Sequence, residues 1–179
     1  TGDSYVQQGF GSISASANNL IDLPASLGLE LAPGASLALT AGQIKIGGSV
    51  SAPGGSVTLK ALGTSVELGT GASITTAGLW INDRLDALPG GTQALVPHIV
   101  QGGKINLSSA NTVTLASGSL LDVSGGADFT AKGTLLAGNA GSITLQAGSG
   151  PDDDFVGSLN LSGQLRGYSA SKGGSLSVS

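Results

Sequence analysis

Gly103-Lys104-Ile105-Asn106-Leu107 decides the fold, because its pattern returns along the chain. The copies are Gly55-Ser56-Val57-Thr58-Leu59, Gly141-Ser142-Ile143-Thr144-Leu145 and Gly174-Ser175-Leu176-Ser177-Val178, with Gly157-Ser158-Leu159-Asn160-Leu161 as a further one. Each phrase alternates apolar and polar residues, so two aliphatic side chains face one way and a Thr, Asn or Ser faces the other. That is the signature of a strand. A helix is argued against by the recurrent Gly and β-branched residues, since Gly costs about 1 kcal/mol in a helix interior relative to Ala. Only Asp83 to Leu88 leaves room for a short one. Strands this brief are not stable as isolated hairpins, and neither Asn-Gly nor Asp-Gly separates them, which disfavours a meander.

A second phrase follows the pattern apolar-x-apolar-x-x-Gly-small-x-apolar. It aligns Leu29-Glu30-Leu31-Ala32-Pro33-Gly34-Ala35-Ser36-Leu37 with the stretches Val66 to Ile74 and Val113 to Leu121. Very short strands, glycine bends and a long repeat are reconciled by a coil in which each strand pairs in parallel with its equivalent one turn later. The expected fold is therefore all-β, a right-handed parallel β-helix of about five to seven turns, the hand being that of parallel crossovers in general. Val57, Val66 and Ile74 are expected on successive faces of one rung, and Ile105, Val113 and Leu121 on the next. Thr58, Asn106, Thr144 and Ser177 should form an outward polar ladder.

Residues 1–179 read as a single β-helix segment of a larger protein, with 1–27 irregular or forming the first rung. Uneven spacing of the turn starts at Val57, Ile105, Ile143 and Leu176 implies inserted loops at 79–102 and 148–156, with a smaller excursion from Asp128 to Asn139. Corners tolerate such insertion better than rungs. The coil's end edges need caps or further rungs, and Tyr5 and the Phe10 region are placed to cover one of them.

The composition fits. Of 179 residues, 31 are Gly and 40% are apolar, while aromatics reach only 3% and both Met and Cys are absent. Leu, Val, Ile and Ala must therefore fill a narrow core. Seven basic against 11 acidic side chains give a net charge of -4, which supplies no electrostatic footprint for nucleic acid. No apolar run approaches the roughly 20 residues of a membrane helix, so no membrane insertion is expected. Absence of Cys removes disulfides and thiolate metal sites.

The Gly-Gly-Ser-Val-Thr-Leu phrase ending at Leu59, the Gly-Ala-Ser-Ile-Thr-Thr phrase ending at Thr76, and Ala77-Gly78-Leu79-Trp80-Ile81-Asn82-Asp83 resemble the rod of filamentous haemagglutinin-type exoproteins, from about Gly28 onward. The resemblance implies a large bacterial exoprotein, secreted to the cell surface through an outer-membrane secretion partner. Its β-helix would serve as a stalk in adhesion to a host-cell or glycan surface. The family's amino-terminal secretion domain is missing from these residues. A carbohydrate-binding or carbohydrate-active β-helix, and the stalk of a contact-dependent growth-inhibition toxin, stand as alternatives.

Few residues offer chemistry, and no reaction or cofactor is assigned. Glu30 and Glu67 share a position in the second phrase, so on adjacent rungs they would stand about 5 Å apart, as two like charges that repel or, in a glycosidase, as a carboxylate pair. Solvated outward glutamates are the simpler reading. Asp152, Asp153 and Asp154 follow Pro151 as the densest charge cluster and are the weak calcium candidates, lacking EF-hand or β-roll spacing. His98 is the only histidine, and no Gly-x-Ser-x-Gly elbow nominates a nucleophile for it. With one His and no Cys, no structural zinc is expected. The 79–102 insertion holds the sole Trp, Trp80, with Arg84 and His98. These three are the possible recognition loop; the simpler reading has Trp80 sealing the insertion against the coil while Asp83 or Asp86 pairs with Arg84. Asn106 and Asn160 match the glycosylation acceptor pattern, yet sit centrally in strand phrases.

Overall fold

Strand follows strand around a triangle. The computed structural model describes residues 10–84, 98–148 and 157–179, and all regular structure among them is β. Each turn of the coil contributes one strand to each of three faces. The first turn comprises β1 (Ser12–Ser16), β2 (Leu20–Leu23) and β3 (Gly28–Glu30). The second comprises β4 (Ser36–Ala41), β5 (Gln43–Ile46) and β6 (Ser49–Ser51), and the third β7 (Ser56–Ala61), β8 (Ser65–Leu68) and β9 (Ser73–Thr75). After β10 (Trp80–Asn82), the fourth turn is β11 (Lys104–Ser109), β12 (Thr112–Leu115) and β13 (Leu120–Asp122). A hairpin of β14 (Ala127–Phe129) and β15 (Leu135–Ala137) precedes the fifth turn, β16 (Ser142–Ala147), β17 (Ser158–Leu161) and β18 (Gln164–Arg166). β19 (Ser175–Val178) opens a sixth.

The three faces are parallel sheets, ordered β1-β4-β7-β11-β16-β19, β2-β5-β8-β12-β17 and β3-β6-β9-β13-β18. The chain is a three-sided, right-handed parallel β-helix. Register is in phase from rung to rung. Leu37, Val57, Ile105 and Ile143 form one inward column, and Leu39, Leu59, Leu107 and Leu145 its neighbour. Ile44, Val66 and Val113 stack on the second face, and Val50, Ile74 and Leu121 on the third. All of these are at most 5% exposed, so the interior is a dry aliphatic cylinder. Burial of apolar area at roughly 25 cal/mol per Å² drives its formation. Burial falls away at the ends of the stack, where Leu176 is 54% exposed on β19. The outward ladder of Thr58, Asn106, Thr144 and Ser177 is in register as expected.

Two kinds of glycine shape the corners. Gly34, Gly54, Gly71 and Gly118 have φ between 62° and 79°, and each precedes an i→i+3 backbone bond, as in Ala35 N–H donating to Ala32 O at 3.0 Å. These are type II turns, two with Pro at the preceding position, Pro33 and Pro53. Gly55, Gly103 and Gly141 stack, and a Cβ on Gly103 would overlap the carbonyl oxygen of Gly55. Rungs approach so closely there that hydrogen is the sole side chain admitted.

The type II turn also explains one correction, and strand alternation a second. Leu29 to Leu37 crosses the corner between the third and first faces, whereas Val66 to Ile74 crosses the corner between the second and third. The same turn chemistry serves both, so the phrases match in sequence without stacking in space. Glu30 accordingly pairs in register with Ser51, and Glu67 with Lys45 and Thr114. The expected Glu30–Glu67 juxtaposition does not form. Gly157-Ser158-Leu159-Asn160-Leu161, read as a copy of the first-face phrase, belongs to the second face, with Leu159 opposite Val113. A period-two alternation is identical on every face, so it does not by itself say which face a strand occupies.

Asp83 and Arg84 lie outside any helix, and the remainder of the expected Asp83 to Leu88 helix is outside the described residues. Tyr5 and Asp86 are outside them too. Phe10 is 50% exposed.

Candidate functional site

A fourth, smaller sheet stands beside the coil, ordered β10-β14-β15. Its members come from excursions of two successive turns, both leaving the corner between the third and first faces. β10 pairs with β14 in parallel, and β14 with β15 antiparallel. The antiparallel pair is a hairpin formed without the Asn-Gly or Asp-Gly turn whose lack disfavoured a meander, and it is supported by β10 instead of standing alone. Its five-residue connection replaces the short Asn-Gly turn with Gly133 at φ 78°, Gly133 N–H donating to Thr130 O and Thr130 N–H to Thr134 O, both at 2.9 Å.

Backbone bonds fasten the two excursions to each other and to the chain returning toward β11. Leu79 N–H donates to Ile99 O at 2.8 Å, Gly126 N–H to Val100 O at 2.8 Å and Ala127 N–H to Leu79 O at 3.1 Å. Ile99 itself packs over the corner glycines Gly34 and Gly54, which fixes where the neighbouring His98 emerges.

Strand alternation divides the side chains into two sets. Trp80, Asn82, Ala127, Phe129, Leu135 and Ala137 share the outer face, by their pairing in register. Trp80 is 76% exposed there and Leu135 is also exposed, while the Arg84 guanidinium stands 5.6 Å from the centre of the Phe129 ring, within cation–π range. The inner face carries Ile81 and Asp128, both buried, and Leu136, which is exposed at the sheet's edge, with Asp83 buried one step beyond β10.

Those two aspartates meet His98. Its Nδ1 lies 3.0 Å from Asp128 Oδ2 and its Nε2 3.5 Å from Asp83 Oδ2, with the imidazole about half exposed. Asp128 Oδ1 is buried without a hydrogen-bond partner among the described residues. Asp83 N–H donates to Phe129 O at 2.8 Å, so the backbones carrying the two carboxylates are directly joined.

Of the residues singled out in the sequence, Trp80, Arg84 and His98 thus come to one sheet, but on opposite sides of it. Trp80 does not seal the insertion against the coil. Asp128 was missed as a site residue, since it is remote in sequence from His98 and nothing in its phrase Gly126-Ala127-Asp128-Phe129 repeats. Asp152, Asp153 and Asp154 lie outside the described residues.

Comparison with known proteins returned no matching family model, no matching curated protein and no matching solved structure.

Proposed function

We propose that this chain is a stalk segment of a secreted bacterial surface exoprotein, resembling the filamentous haemagglutinin type, and that its fourth sheet is a contact surface for cells or their glycans. The observation that carries this reading is the exposed indole: Trp80, 76% exposed, projects together with Leu135 from a sheet that stands off the coil. An exposed indole offers a flat stacking platform for a sugar face, and Arg84 beside Phe129 adds a donor for hydroxyl or anionic groups. Short stacked rungs supply stiffness, since each is hydrogen-bonded to its neighbours along the whole axis. A chain without Cys also needs no oxidative step during export.

The test immobilises the chain on beads and measures retention on bacterial and animal cells and on a glycan array. Retention is expected to fall at least tenfold in Trp80→Ala while the melting midpoint stays put. Equal retention by wild type and variant would remove the contact role from this sheet.

A further inference from the structure

We propose that Asp83, His98 and Asp128 form a binding site for a divalent transition-metal ion of the Zn2+ class, which staples the fourth sheet to the returning end of the excursion. One ligand atom from each of the three side chains lies within 4.8 Å of the other two. They arrive from three separate stretches: the end of β10, the chain just before Ile99, and β14 of the following turn. Convergence of this kind is a property of the fold, since in sequence the set looks like scattered acids and a lone histidine.

The chemistry of the set points to a cation of intermediate hardness. One imidazole nitrogen and two carboxylate oxygens suit Zn2+, with Mn2+ as the harder neighbour, and leave a fourth position for water. Donors about 2.0–2.2 Å from such an ion stand roughly 3.3 Å apart, whereas here they spread to within 4.8 Å with each aspartate at a different imidazole nitrogen, so the half-exposed His98 ring turns to bring one nitrogen to both. Burial supplies the second argument. Asp128 is 7% exposed, and taking a carboxylate out of water is costly unless opposite charge or hydrogen bonds meet it there. Asp128 Oδ1, buried and lacking a hydrogen-bond partner among the described residues, is a further oxygen available to the ion. The exposed edge of His98 provides the route in.

The consequence is structural. An ion at this point ties residues 83 and 98, on the outgoing and returning limbs of the excursion, to β14, and so links insertions of two successive turns. The proposal is independent of whether Trp80 contacts a cell, and its test needs no cell.

The full chain, stripped with a chelator and dialysed, is titrated calorimetrically with Zn2+ alone. One equivalent is expected to bind at low micromolar concentration or tighter. His98→Ala, at a partly exposed position that the fold tolerates, should weaken binding at least tenfold, and Asp128→Asn similarly. Glu30→Gln, on a rung away from the cluster, should leave it unchanged. Co2+ in place of Zn2+ reads the site without any substitution: the wild-type chain should develop the visible absorption of a low-coordinate site with nitrogen and oxygen ligands. Absence of saturable uptake by the wild-type chain would overturn the proposal. So would uptake that survives His98→Ala unchanged, which would put the ion elsewhere, as at Asp152 to Asp154.

Discussion

The coil and the sheet beside it differ in what they leave to water. In the coil, aliphatic columns such as Leu39-Leu59-Leu107-Leu145 are dry and Thr, Asn and Ser face water. In the fourth sheet, Trp80 and Leu135 face water while Asp83 and Asp128 are buried. The first arrangement is what the hydrophobic effect selects when stability is the requirement. The second costs free energy twice, by exposing apolar area and by desolvating charge, and such costs concentrate where a surface has a task other than holding itself together. The contrast separates a scaffold from what it carries.

Substitutions break or sharpen that contrast in a definite order. The largest effect is expected where rungs touch. Gly103→Val forces a branched side chain into the carbonyl of Gly55 and should cost on the order of 4 kcal/mol, read as a large drop in the denaturant midpoint. Leu107→Ala comes next, because Leu107 is 1% exposed between Leu59 and Leu145, and a loss of about 3 kcal/mol is expected; Leu176→Ala, at the exposed end of the stack, should cost under about 1 kcal/mol. If the two leucines cost the same, the coil does not have the graded burial described.

Thr76→Val acts in the opposite direction. The Thr76 hydroxyl is wholly buried and has no hydrogen-bond partner among the described residues, so an isosteric methyl should raise stability by about 1 kcal/mol, visible as a higher melting midpoint. Smallest of all on stability is Trp80→Ala, expected within about 0.5 kcal/mol because most of the indole is already in water. A larger destabilisation would mean that the fourth sheet follows the same rule as the coil, and the contrast would vanish.

What was legible in the sequence follows the same division. Val57, Val66, Ile74 and their equivalents one turn later were readable because stacking forces like onto like, and repetition is a signal that needs no partner sequence. Assignment to faces was harder. Type II turns at two different corners made Leu29 look equivalent to Val66, whereas it stacks on Val50, and only a count of residues between successive corners separates the two. The fourth sheet left almost no trace, since β10, β14 and β15 are three residues each and pair only with one another. Gly133, within a short polar run between Ala127-Asp128-Phe129 and Leu135-Leu136-Ala137, was the available hint of the hairpin. For the His98 cluster there was none: its members are brought together by an excursion returning to its own base and by the next turn arriving beside it, and neither event has a periodicity.

Both excursions depart from the same corner, one turn apart, and this gives the rod an azimuth. A plain triangular coil presents much the same profile on each of its flanks, so a body touching it from the side finds no preferred heading. A keel along one edge removes that indifference. Whatever is gripped there is gripped at a fixed angle about the long axis, and any twisting load at the tip is passed down the coil as torsion instead of being shed by rolling.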